Sequence, residues 1–231
     1  MKQQLVIQFA LASALTAVIA IWPQELRSQD AGVVNENGLM GSVEIPSDDL
    51  SALPQWTRVL GKIPEEKILI KKCEVDIKNC SSTKLIAWRA KIQEARTLPP
   101  LKQLRVVNRF INSWPISDDQ KSYKKQDYWA SPMEFSERSG DSKDFAIIKF
   151  FMLRELGFAN KNLRIVIAID TLRNKPQAFV TANIGKNVYV LDNLSNTIQT
   201  DNFLRHFVPT YSVNETTRWA HIPARFGGTE K

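Results

Sequence analysis

One transition constrains this chain more than any other. The turn Ser139-Gly140-Asp141 opens directly into an apolar run, Phe145 to Leu156, which stops at Gly157. Polar residues at the front, a long apolar stretch and a terminal glycine predict a helix with defined ends. Beyond Gly157 the period changes. Leu163 to Ile169 is a β-branched run, Ala178 to Ile184 alternates, and Gly185-Lys186-Asn187 turns the chain back into Val188-Tyr189-Val190-Leu191 as a hairpin. A helical first half followed by consecutive strands predicts an α+β fold rather than a parallel wound sheet.

The helical half reads in pieces. Leu85 to Ala95 places Leu85, Trp88 and Ile92 at near-helical spacing, and Pro99-Pro100 interrupts it. Leu101 to Trp114 resumes with Leu104, Val107, Phe110 and Ile111 before Pro115 closes it. Ser117-Asp118-Asp119 can cap a short helix, and Ser131-Pro132-Met133-Glu134 puts proline in a favourable first turn. Of the aromatics Trp114, Tyr128, Trp129 and Phe135, most are expected in the core, with Trp129 reaching a groove because its indole N–H needs a partner. Arg109 and Glu134 are candidates for an internal ion pair. The expected layout is a signal peptide or N-terminal membrane anchor over residues 1–28, a linker or extended arm over 29–50 and one domain over 51–231.

Lys2 ahead of the apolar run Leu5 to Ile21 has the form of a secretory signal. Val18-Ile19-Ala20 offers small residues for cleavage without a clean Ala-x-Ala. The run also approaches the roughly 20 residues that a bilayer span requires, so an uncleaved anchor is the alternative. In an oxidising compartment the close pair Cys73 and Cys80, the only cysteines, reads as a local disulfide. The net charge of +7 describes a solvated basic surface. Lysine clusters such as Lys71-Lys72 and Lys121/Lys124/Lys125 are short and belong to no nucleic-acid module, so nucleic acid is not an expected partner.

Position 142 stands at the N-terminus of the predicted apolar helix, where free N–H groups and the dipole favour negative charge and lower a thiol pKa. It holds serine, which gains little from that field and needs a neighbouring base to act as a nucleophile. The stretches Val107-Asn108-Arg109-Phe110-Ile111-Asn112, Asp127 to Phe135, Gly140 to Ala146, Leu153-Arg154-Glu155-Leu156-Gly157, Val190 to Leu194 and Tyr211 to Glu215 together resemble the bacterial transglutaminase-like cysteine proteinases of the LapG type. The resemblance runs in order over roughly residues 39 to 220. It implies a papain/transglutaminase-like fold, with the nucleophile helix packed on an antiparallel sheet, a Cys-His-Asp triad and calcium bound by acidic residues flanking the cysteine. It further implies a periplasmic location, cleavage of large surface adhesins in biofilm control, and sequestration by an inner-membrane cyclic-di-GMP receptor.

Carried over position by position, the triad becomes Ser142 for cysteine, Gln177 for histidine and Asp192 for aspartate. At the calcium positions Asp141 is kept, and the glutamate after the cysteine is Lys143. Glutamine hydrogen-bonds but has no usable proton affinity, so it can neither deprotonate Ser142 nor protonate a leaving amine. An ammonium at position 143 opposes a cation that wants several oxygens. The expectation is therefore an exported, catalytically inactive relative without a cofactor, with calcium lost at a degenerate Asp141 site. It would bind an adhesin segment or the regulatory receptor. The alternatives are a hydrolase pairing Ser142 with His206, and a membrane-tethered structural component of the envelope. Bland readings exist for each residue: Asp141 or Ser142 as helix cap, Asp192-Asn193 as turn former, and His206 and His221 as ordinary histidines.

Overall fold

The computed structural model describes residues 38–223. Strand β1 (Ser42–Ser47) precedes the helices α1 (Pro54–Val75), α2 (Thr83–Ala95), α3 (Pro100–Asn112), α4 (Asp119–Tyr123), α5 (Pro132–Arg138) and α6 (Ser142–Glu155). The remaining strands follow without interruption by a further α-helix: β2 (Leu163–Asp170), β3 (Lys175–Ile184), β4 (Asn187–Asp192), β5 (Gln199–Thr200), β6 (Phe207–Val213) and β7 (Arg218–Pro223). They form one sheet in the order β1-β7-β6-β2-β3-β4-β5, antiparallel at every junction. This is the α+β architecture the sequence predicts.

Helix α6 is the centre of the molecule, with every residue from Lys143 to Leu153 buried. One sheet face lies against it through Ile165, Ala178, Val180, Ala182, Leu191 and Val213. The intervening residues Val166, Ala168, Phe179 and Val190 point the other way and form a smaller cluster with Phe207 and Leu39. That two-sided burial follows directly from the period of two along a strand. On the helical side, α1 contributes Trp56, Val59 and Ile63 to the same core, and Trp56 lies 5.9 Å from Phe150 and from Phe151. Buried Glu66 of α1 accepts from Ser131 Oγ and Met133 N, so it satisfies the start of α5.

Several expectations need correction. Residues 42–47, expected within a linker or arm, are an edge strand paired with β7 from Ser42↔Pro223 to Ser47↔Arg218. Trp129 does not reach a groove; it is 4% exposed and packs against Trp56, and its indole N–H donates to Asp127 Oδ1 at 3.2 Å. Glu134 pairs with Arg58 and Lys62 rather than with Arg109, and these bonds hold its carboxyl down at about 2 despite burial. The disulfide expected between Cys73 and Cys80, by contrast, is present. Among the described residues no helix is long and apolar enough to cross a membrane, and the Leu5–Ile21 run lies outside them.

His221 sits in a buried polar knot that ties β1 to β6 and β7. Ser42 Oγ donates to Leu39 O, which leaves it to accept from His221 Nδ1 at 2.7 Å; His221 Nε2 then accepts from Ser212 Oγ at 2.8 Å. Burial pushes this imidazole down to about 4. Between pH ~6.5 and ~4 an unfolded chain therefore takes up a proton that the folded chain refuses. Stability from this site is complete above pH ~6.5 and is lost as pH falls through that window. Thermal unfolding of the wild type is expected to decline more steeply from pH 7 to pH 4.5 than that of His221→Gln, whatever the variant's starting stability. Equal slopes would show that this site does not set the acid limit.

Candidate functional site

The structure brings Ser142, Gln177 and Asp192 together from three elements. Asp141 is the N-cap of α6: its Oδ1 accepts from Lys143 N at 3.1 Å, while Asp144 Oδ2 reaches back to Asp141 N at 3.0 Å. That reciprocal cap fixes Ser142 as the first helical residue, at the positive end of the helix dipole. Its Oγ accepts from Ala178 N of β3 at 3.3 Å, which sets the hydroxyl beside the residue that follows Gln177. Gln177 Nε2 donates to Asp192 Oδ1 at 2.6 Å and to Asn193 Oδ1 at 2.7 Å. Two acceptor oxygens on that side fix the amide orientation, with nitrogen toward Asp192. Gln177 and Asp192 are buried, and Ser142 is half-buried.

The Asp192 turn is braced from both sides. Asp192 Oδ1 also accepts from Leu194 N, closing a side-chain turn. From α3, Asn112 Nδ2 donates to the carbonyls of Asp192 and Ser195 at 3.0 Å, and Asn108 Nδ2 donates to Ser195 O at 2.8 Å. Asn108 Oδ1 accepts from Lys149, a fully buried lysine two turns along α6 from Ser142. Burial pushes the Lys149 ammonium down to about 7, against the pull of Asp192. Sequence reasoning passed over Lys149. The signal was a cation in the middle of Ile147-Ile148-Lys149-Phe150-Phe151, a position an apolar helix face does not supply without an acceptor opposite.

The approach to Ser142 is tightly built. Ser139 has φ 69° and ψ −178°, a conformation that disfavours any residue but glycine. Tyr123 Oη donates to its carbonyl at 2.7 Å, and Lys84 Nζ donates to its hydroxyl at 3.1 Å. A carboxylate group flanks the site: Asp119, Asp141 and Asp144 each place an oxygen within 4.8 Å of the others. Lys143 Nζ lies among them, 2.7 Å from Asp119 Oδ2 and 2.6 Å from Asp141 Oδ2. The sequence pointed to Asp141 alone; Asp119 arrives from α4, more than twenty residues earlier in the chain, and no local motif announces it.

Chemically, the arrangement offers a carboxamide bonded to a carboxylate, with a hydroxyl held at the adjoining Ala178 N–H. Such a set donates and accepts hydrogen bonds but holds neither a thiol nor an imidazole. Neither histidine bonds to Ser142. His206 stacks on Phe207, whose ring belongs to the cluster on the other sheet face, and His221 has both ring nitrogens engaged by serines. The pairing of Ser142 with His206 therefore finds no support in the geometry.

Residues 67–225 match the family model described as bacterial transglutaminase-like cysteine proteinase BTLCP. Among solved structures, Legionella pneumophila LapG is 28% identical with a TM-score of 0.58, over 65% of this chain and 87% of that one. Its calcium-bound form gives the same figures, and its EGTA-treated form is matched over 84% of its length. A comparison with curated proteins found no match. With the family model spanning more than half of the sequence and the helix-on-sheet arrangement shared with LapG, the chain belongs to the bacterial transglutaminase-like cysteine proteinases.

Proposed function

We propose that this family member is exported and binds a polypeptide in the Ser142–Gln177–Asp192 cleft without cutting it, and without calcium. One observation carries the reading: Gln177 spends both protons of its amide nitrogen on Asp192 and Asn193, at the place where proteolysis needs a base beside residue 142. With serine in place of a thiol and no imidazole bonded to it, the site keeps hydrogen-bonding groups and lacks the nucleophile and base that the family's proteolysis uses. The disulfide Cys73–Cys80 supports a periplasmic location, since such bonds persist in oxidising compartments. By relationship to LapG-type proteases, the partner is a segment of a large surface adhesin or the inner-membrane cyclic-di-GMP receptor, and the role is modulation of surface attachment.

The test is to pass an envelope extract from the source cell over the immobilised protein and identify what stays by mass spectrometry. Intact adhesin or a membrane receptor on the column, reduced in a variant carrying Gln177→Ala, is the expected result. Adhesin recovered as new fragments would mean that the site cuts.

A further inference from the structure

We propose that the Lys143 ammonium is the resident cation of the Asp119–Asp141–Asp144 cluster, a tethered replacement for a divalent ion that makes the cleft's assembly independent of calcium. The inference stands apart from whether the cleft cuts, because it concerns what holds the start of α6 in place.

The geometry of the three carboxylates invites a cation. Oxygens from all three lie within 4.8 Å of one another, and Asp119 and Asp144 are buried. Asp144 accepts from two backbone donors, Ala130 N at 2.7 Å and Asp141 N at 3.0 Å, while burial pushes its carboxyl well above the usual carboxylate range. Asp119 Oδ2 accepts from Tyr128 N and from Lys143 Nζ, both at 2.7 Å, while its Oδ1 is buried without a partner. The cluster thus holds more acceptor capacity than one ammonium fills.

A calcium ion needs six to eight oxygens at 2.3–2.6 Å. Here the space between Asp119 and Asp141 is taken by Nζ, in contact with both, and the lysine side chain is only 9% exposed. A divalent ion bound to the same oxygens would lie against a positive charge that has little solvent to retreat into. The residues present do not fit calcium while Lys143 is there. The ion pairs from Nζ to Asp119 Oδ2 and Asp141 Oδ2 hold the ammonium at the place a divalent ion would need.

The ammonium also does mechanical work for which an ion would otherwise be needed. Asp119 begins α4 and fixes the backbone at Tyr128; Asp141 caps α6; Asp144 fixes the backbone at Ala130. Lys143 joins the first two of these across the chain and sits next to Ser142. The Legionella relative is recorded both calcium-bound and EGTA-treated. A cation attached through a side chain cannot be removed by a chelator.

The test uses the full chain, as wild type, Lys143→Met and Lys143→Arg, in thermal unfolding and calorimetric titration with calcium chloride. Wild type is expected to melt within about 1 °C of the same temperature in EGTA and in millimolar calcium, with no binding heat. Lys143→Met is expected to melt at least about 5 °C lower in EGTA, and to recover half of that in calcium but not in sodium chloride of equal ionic strength. Lys143→Arg, which keeps a cation, is expected to ignore calcium. Calcium binding by the wild type, a Lys143→Met protein as stable as wild type in EGTA, or a loss that calcium does not repair would each overturn the proposal. Should Lys143→Met fail to fold even with calcium, the assignment also fails, because the ion was to replace the ammonium.

Discussion

Gly140→Ala is expected to lower the melting temperature by about 10 °C, the largest loss of any single methyl addition near the site. An added Cβ would stand 2.1 Å from Asp144 Oδ2, 2.7 Å from its Cγ and 2.8 Å from its Cβ. Asp144 cannot step aside cheaply. It is fully buried, and its two oxygens hold Ala130 N and Asp141 N. The backbone of Gly140 is pinned as well, since its carbonyl accepts from Ser117 N at 2.9 Å. Either the cap of α6 opens or the Asp119–Asp144 cluster is displaced; overpacking together with a broken buried hydrogen bond costs about 3 kcal/mol. Thermal unfolding measures it directly. A change below 2 °C would mean that the turn before Ser142 yields more easily than its bonds indicate.

The second large effect concerns chemistry. The double variant Ser142→Cys, Gln177→His is expected to cleave envelope polypeptides measurably, whereas wild type and each single variant leave them intact. Asp192 already receives a hydrogen bond from residue 177 at 2.6 Å, so an imidazole there would find its orienting carboxylate in place. The thiol would stand at the N-terminus of α6, where the dipole favours thiolate. In a serine protease, loss of the nucleophile or base alone costs about a million-fold and further losses add little, so restoring one of two missing groups is expected to restore almost nothing. Appearance of new peptide N-termini, followed by mass spectrometry, is the readout. Cleavage by Ser142→Cys alone would show that a base other than residue 177 serves the site.

Much of the fold is legible in the sequence. The apolar helix from Phe145, its polar start and the hairpin through Gly185 carry signals that do not depend on distant contacts, and they lie where the periodicity puts them, within a few residues. Helix α1 was harder. Pro64 falls inside it, and its buried residues Trp56, Val59, Ile63, Glu66 and Cys73 form a stripe too narrow to stand out among the lysines. Strand β1 hid for a different reason. Glu44 occupies one of its inward positions and is tolerated there because Leu39 N and Arg164 bond to it, which no local pattern announces. At the site, Ser142 is marked by the polar start of an apolar helix, whereas Asp141 as a calcium position, Gln177 and Asp192 follow from the family resemblance. Asp119, Lys149 and the two asparagines of α3 act through contacts between elements far apart in the chain, and only the fold reveals those.

The central claim is that the cleft binds and does not cut, and one comparison tests it most directly. Wild type and Ser142→Ala are each incubated with the same envelope fraction, with and without calcium, and newly formed peptide N-termini are counted by mass spectrometry. The account predicts no terminus that depends on Ser142 in either condition. A set of termini present with wild type and absent with Ser142→Ala would contradict it and make this chain a serine-dependent protease.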